Sequence, residues 1–256
     1  MSGGRRIPAP YAAPGMTLPE LLIALALASV LALGLVQIAS AASAADRLQR
    51  NQAEVLDRAR FALGKLARAI RQAGFRPEPW NPAFAAGALA DDNSDAVAPS
   101  GDRLSLRAWS DRNCFDNLNP DRDGAGRPRF YLRVQAFEVS AAGQLAHTCR
   151  YGPAMDALTT QIRRQGLLPG VETFQVLYGH DDDGDGGADG WVRAGQWSDP
   201  RRVLGLRIGL LLAGDDAVVE PGETAYDVLG DIVHVPADGR LRRLFEFTVA
   251  IRGRAG

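Results

Sequence analysis

The 256-residue sequence has almost no surplus charge of either sign, with 29 basic and 30 acidic side chains and a formal net charge of -1. Without a basic excess the protein lacks the overall positive field that drives nucleic-acid binding, so nucleic acid is not an expected partner. Lysine is nearly missing, since Lys65 is the single one. The sequence also contains no nucleotide-binding loop, zinc-ligand spacing or serine-nucleophile elbow. We therefore do not expect an enzyme.

Against this balanced background stands one long apolar run. Residues 21–45 read LLIALALASVLALGLVQIASAASAA and carry no charged side chain. At about 1.5 Å per residue, a helix of this length spans a hydrocarbon core of about 30 Å. The sequence has no second run of this kind. It therefore predicts a single membrane pass near the N-terminus.

Glu20 stands directly before the apolar run, where a carboxylate is costly unless it is paired or reaches the interface. One interpretation is a capping box, in which Thr17 is the N-cap, Pro19 lies in the first turn and Glu20 bonds a free main-chain N–H. The other is that Glu20 meets a positive partner inside the membrane, such as the amine created by a cut after Gly15. The sequence leaves both interpretations open.

The segment GMTLPELL, placed between a short basic leader and an apolar helix, resembles the class III signal of type IV pilins and type II secretion pseudopilins. That resemblance implies that a prepilin peptidase cuts after Gly15 and methylates Met16 as the new N-terminus. It also implies that Glu20, the fifth mature residue, serves assembly and that the C-terminal part lies outside the cytoplasm. Small residues at 39–45 offer an alternative, because they resemble the cleavage site of an ordinary secretory signal.

The closing stretch extends this resemblance. Its segments VETFQVLYGHDDDGDGGADGWV, RRVLGLRIGLLL and RLRRLFEFTVAIRGR resemble the C-terminal half of PilW-type minor pilins, which are similar to J-type minor pseudopilins. The resemblance implies a structural subunit that is held in the bacterial inner membrane with a periplasmic head, primes type IV pilus assembly and sits at or near the filament tip. Its implied partners are other minor and major pilins, through the N-terminal helix, and the prepilin peptidase. The alternatives are a minor pseudopilin of a type II secretion system and a calcium-dependent adhesin.

Beyond the apolar run, hydrophobic residues continue at a 3-4 spacing as far as Ala73, and Gly74 supplies a C-terminal stop. Glycine-, asparagine- and aspartate-rich turns then separate strand-like runs, several of which alternate apolar with polar residues. The runs are Leu104–Trp109, Phe130–Val139, Leu145–Tyr151, Thr173–Tyr178, Val203–Leu212 and Leu241–Ile251. This order predicts an α+β, pilin-like fold, with a long N-terminal helix packed on an antiparallel sheet. The predicted parts are a leader at 1–15, a transmembrane helix at 16–45, an amphipathic helix at 46–74 and a β-rich head at 75–256.

An acidic loop in the head has the spacing of the front half of a calcium site. Asp181, Asp183, Asp185 and Asp189 supply carboxylates, and Gly187 supplies a carbonyl. The glutamate expected at the twelfth position is replaced by Val192, so a solvated acidic turn remains the alternative. A second stretch with Asn119, Asp121 and Asp123 repeats the spacing more weakly.

Only two cysteines occur, Cys114 and Cys149. In an oxidising compartment a disulfide between them is the simplest expectation, and two buried thiols are the alternative. His147 lies two residues from Cys149, but no glycine-rich oxyanion signature surrounds it, so we do not expect nucleophilic catalysis. His234 stands between apolar residues, as an ordinary strand or core histidine does.

Overall fold

The computed structural model describes Gly15, residues 17–97 and residues 101–252. The chain divides into two compact units, residues 1–47 and 48–256. The predicted leader up to residue 14, and Met16 after it, lie outside the described residues.

A single long helix, α1, runs over Leu18–Gln72, within the predicted span of 16–74. It ends where Gly74 takes a φ of 76°, a conformation that favours glycine, and donates its N–H to the carbonyl of Arg107 over 2.8 Å. In the second unit one face of α1 is buried at a 3-4 spacing, as predicted. The buried positions are Asn51, Val55, Ala59, Ala62, Leu66, Ala69 and Ile70.

The first sheet is an antiparallel meander. Its strands are β1 Leu104–Ser110, β2 Tyr131–Val139, β3 Gln144–Gly152 and β4 Thr159–Pro169, paired in that order. The connection after α1 covers the outer edge of β1, because Arg107 donates its N–H to Ala88 over 2.8 Å and Ala90 donates its N–H to Ser105 over 3.0 Å. The opposite edge of this sheet is β4.

The second sheet is also antiparallel and has the order β10-β7-β5-β6. Its strands are β5 Val171–His180, β6 Gly190–Val192, β7 Val203–Ala217 and β10 Arg240–Ala250. Between β7 and β10 the chain forms a separate hairpin of β8 Thr224–Val228 and β9 Asp231–Val235. The α+β class and the packing of a long helix on antiparallel strands are thus confirmed.

Each of the six strand-like runs of the sequence corresponds to an observed strand, but β4, β6, β8 and β9 were not predicted. The head has two four-stranded sheets and a hairpin in place of one sheet. In β4 only Leu168 is buried, so the strand shows no alternation of buried and exposed positions. Strand β6 is only three residues long.

The main core lies between α1 and both sheets. Its largest fully buried side chains include Leu66 on the helix, Leu106 on the first sheet, and Phe174 and Tyr178 on the second. A Cβ on Gly214 of β7 would lie 1.7 Å from Oδ1 of Asn51. Glycine there allows α1 to approach the second sheet closely. The core is therefore built from residues of the second unit.

Candidate functional site

The start of α1 has part of the predicted capping arrangement. Oε2 of Glu20 accepts the main-chain N–H of Thr17 over 3.3 Å and its hydroxyl over 3.2 Å. The N–H of Leu21 donates to the carbonyl of Thr17 over 3.1 Å, which makes Thr17 the N-cap. This contact favours the capping interpretation for the isolated chain. The second interpretation depends on an amine at Met16, which lies outside the described residues, and it stays a prediction.

The large apolar side chains from Leu21 to Ile38 are all exposed. Leu21 is 48% exposed and Ile38 is 69% exposed. By length and composition α1 is the one candidate membrane span among the described residues. Such a continuous apolar surface is not stable in water and indicates a membrane or a bundle of helices around it.

The acidic loop between β5 and β6 brings three of its four predicted carboxylates together. Carboxyl oxygens of Asp181, Asp183 and Asp189 lie within 4.8 Å of one another. Asp181 is buried and accepts the N–H groups of Gly184 over 2.6 Å and Gly186 over 3.1 Å. Oxygen ligands at this spacing suit a hard divalent cation.

Asp185, the fourth predicted carboxylate, is not part of this cluster. Oδ1 of Asp185 accepts the N–H of Gly187 over 2.6 Å. Asp189 accepts the N–H of Asp182 over 2.7 Å and therefore also shapes the turn. These bonds order the loop without an ion, and the ligand roles of Asp185 and Gly187 stay predictions.

The weaker acidic stretch forms no such cluster among the described residues. Nδ2 of Asn119 donates to the carbonyls of Ser110 and Arg129, each over 2.9 Å. Asp121 accepts the hydroxyl of Tyr131, and Asp123 forms an ion pair with Arg127 over 2.9 Å. These side chains hold the loop between β1 and β2.

The predicted disulfide between Cys114 and Cys149 is confirmed, with the two Cα atoms 5.9 Å apart. It ties the loop after β1 to the buried side of β3. The N–H of Cys114 also donates to Oε1 of Gln161 on β4, over 3.0 Å. The disulfide therefore links a long surface loop to the middle of the first sheet.

His147 has no thiolate partner, because Cys149 is in the disulfide. Its ring stacks on Phe137 with centroids 5.0 Å apart. Burial, together with the positive charges of Lys65 and Arg133, lowers the pKa of His147 to about 4. The imidazole is therefore neutral at physiological pH. His234 is an exposed residue of β9, so the strand alternative was right for it.

Sequence reasoning missed an aromatic cleft beside the end of α1. Phe75, Trp109 and Phe130 line two neighbouring cavities of about 580 and 480 Å³. Trp109 packs edge-to-face on Phe84, with ring centroids 4.9 Å apart. These aromatic residues come from the irregular connection, β1 and the residue before β2, so no local pattern in the sequence marks them as a group.

The helix and the antiparallel sheets define a pilin-like fold. In agreement, the structure is similar to a type IV-like pilin from Thermus thermophilus, with a TM-score of 0.53 and 22% sequence identity over 78% of this chain and 97% of that chain. The family described as Type IV Pilus-assembly protein W matches residues 136–253. No curated protein matches the chain. The resemblance to PilW-type pilin-like proteins is thereby confirmed, and it supports a structural, pilin role.

Proposed function

We propose that the protein is a minor pilin that primes type IV pilus assembly and sits at or near the filament tip. Before assembly it is held in the bacterial inner membrane by residues 16–45, with its head in the periplasm. The observation that carries this proposal is the exposed apolar half of α1, which follows Glu20 and takes no part in the core of the head.

The two halves of α1 differ in burial, which supports a separate role for each half. Among the residues that the structure describes, buried positions of α1 begin at Asn51 and the head core contains no residue before Val55. The preceding apolar residues are not needed to fold the head, and their exposed surface is suited to lipid and then to the helices of other pilins. The helix is thus the expected contact with both minor and major pilins.

Glu20 is the proposed assembly residue. Within the described part of the chain, its carboxylate accepts hydrogen bonds from Thr17 alone. In the proposed filament Glu20 meets the N-terminal amine of a neighbouring subunit, after the prepilin peptidase has cut between Gly15 and Met16. An ion pair away from water is far more favourable than an isolated carboxylate in the hydrocarbon.

A chromosomal deletion, scored for surface filaments and for secreted enzymes, tests the pilus role. We expect loss of filaments with intact secretion. Restoration should fail with Glu20→Gln and succeed with Asp57→Asn, a matched carboxylate loss from an exposed ion pair farther along α1. Loss of secretion with intact filaments would instead identify a minor pseudopilin of a type II secretion system.

Intact-mass measurement of protein from cells with a prepilin peptidase tests the processing. The expected chain begins at N-methylated Met16. A chain that begins after Ala41 or Ala45 would contradict the proposal and indicate ordinary secretion.

A second candidate function is a calcium-dependent adhesin on the same anchor. It is favoured by the aromatic cleft of Phe75, Trp109 and Phe130 and by the three clustered aspartates of the acidic loop. We expect Ca²⁺ to raise the melting temperature of the protein over that in chelator, and Asp183→Asn to abolish the rise. Asp216→Asn, at an exposed aspartate outside the loop, is the control. Equal melting with calcium and with chelator would exclude the metal.

A further inference from the structure

A small cavity of about 180 Å³ lies between the second half of α1 and the first sheet. Lys65 and Arg68 line it from the helix, and both are exposed. Arg133 of β2 and His147 of β3 line it from the sheet. Asp116, in the loop between β1 and β2, is the only acidic residue in its lining. Three residues with cationic side chains and one with a carboxylate therefore line the same space.

The three cations have no ion pair of their own. Among the described residues, no carboxylate lies within 4.0 Å of a charged nitrogen of Lys65, Arg68 or Arg133. The ammonium group of Lys65 lies over the ring of Phe61, 5.8 Å from its centroid. Because the ring has no net charge, this contact does not neutralise the positive charge of Lys65.

Two buried nitrogen atoms in the residues of this cavity lack a hydrogen-bond partner, Nε of Arg133 and Nε2 of His147. The terminal nitrogens of Arg133 donate to Oε1 of Gln72 over 3.0 Å and to the carbonyl of Asn113 over 3.4 Å. Burial lowers the pKa of Arg133, and Asp116 opposes this only in part. A half-buried guanidinium whose hydrogen-bond partners are uncharged is an unfavourable arrangement that a bound anion relieves.

Size and charge together define the chemistry that fits. With His147 neutral, three cations against one carboxylate leave a local excess of two positive charges. A volume of about 180 Å³ equals on the order of six water molecules at about 30 Å³ each, which is room for one small ion. Guanidinium and ammonium groups bind carboxylate and phosphate through charge-assisted hydrogen bonds.

We propose that this cavity is a binding site for one oxyanion, a carboxylate or a phosphate, held by Lys65 and Arg68 at its mouth and by Arg133 in its wall. The anion joins α1 to the first sheet beside the disulfide. Its source is either a free anion of the compartment or an acidic side chain of a neighbouring protein.

Isothermal titration calorimetry on the full chain in a non-ionic detergent tests the site. The probes are inorganic phosphate and N-acetylaspartate amide, each at an ionic strength held constant with sodium chloride. We expect saturable binding of one anion per chain, weakened at least about tenfold in a Lys65→Gln/Arg68→Gln double variant, since each substitution removes hydrogen bonds to a charge. Arg60→Gln, which removes one positive charge from the same helix outside the cavity, is the control.

The two probes distinguish the sources. Tighter binding of phosphate indicates a free anion, and tighter binding of the aspartate derivative indicates an acidic side chain. The pKa of His147, followed by NMR, should rise when either binds. Heat no larger than that of added chloride, or equal affinity in the wild-type protein and the double variant, would overturn the proposal.

Discussion

Removal of the disulfide gives a direct test of what stabilises the head. Cys114 and Cys149 are 35 residues apart, and Cys149 is only 1% exposed. The perturbation is the double variant Cys114→Ala/Cys149→Ala, which removes the bridge without leaving a free thiol. Alanine is used because a serine at Cys149 would bury a hydroxyl group.

The magnitude follows from the length of the closed loop. Chain-entropy arithmetic for a loop of this size gives about 4 kcal/mol at 25 °C. Several hydrogen bonds of the loop survive the substitution, including those of Asn119 to the carbonyls of Ser110 and Arg129. We therefore expect a folded variant whose free energy of unfolding is lower by about 3–4 kcal/mol, because without the bridge the unfolded chain gains conformational entropy.

The assay is equilibrium unfolding in urea of the head, residues 48–256, followed by circular dichroism. The wild-type head in strong reductant should unfold within about 1 kcal/mol of the double variant, since both lack the bridge. A loss below about 1 kcal/mol in the double variant would refute the reasoning. It would mean that the loop is already ordered in the unfolded chain or that the bridge does not form.

Three further predictions concern buried charges in the head. Arg242 donates to Glu172 over 2.8 Å and to Asp238 over 2.7 Å. Arg242→Met should lower the free energy of unfolding by about 2–3 kcal/mol, because two partly exposed carboxylates then lose a charged hydrogen-bond donor. Urea unfolding measures this, with the exposed Arg243→Met as control. Burial raises the pKa of Asp102 to about 6. The folded state therefore binds more protons at this group than the unfolded one, so the contribution of Asp102 to stability should fall by about 2 kcal/mol as pH rises from about 4 to 6; the difference in unfolding free energy between the wild type and Asp102→Asn measures it. The contribution of His147 has the opposite sign, since its lowered pKa of about 4 makes the unfolded state bind more protons at this group. That contribution should fall by up to about 3 kcal/mol as pH drops from 6.5 to 4, and the difference in unfolding free energy between the wild type and His147→Gln measures it. Unfolding across this pH range would contradict either statement if the variant kept the slope of the wild type.

The long helix and six strands could be predicted because the helix repeats apolar residues at a 3-4 spacing and each of these strands contains a run of apolar residues bounded by turn residues. The hairpin of β8 and β9 was missed for a specific reason. Its turn is Leu229-Gly230, with φ values of 56° and 94°. A leucine with positive φ is rare, so the sequence carries no asparagine-glycine or aspartate-glycine signal of the kind that marks a two-residue hairpin turn.

Of the two candidate sites in the head, one could be predicted from the sequence and the other could not. The acidic loop could be predicted because its aspartates lie within nine residues of one another. The hydrogen bond from the N–H of Gly187 to Asp185 could not, because the spacing of the aspartates does not determine it. The proposed oxyanion cavity could not be predicted from the sequence. Lys65, Arg133 and His147 come from a helix and two strands, and only the pairing of β2 with β3 and their packing on α1 bring them together.

The separation of the chain into two units makes assembly and folding independently measurable. Glu20 lies in the first unit, whereas every core residue lies in the second. A defect in the core would lower the melting temperature of the head before it affected filaments. Loss of filaments in Glu20→Gln with an unchanged melting temperature would therefore place the defect in the contacts between subunits, because no core contact of the head depends on that carboxylate.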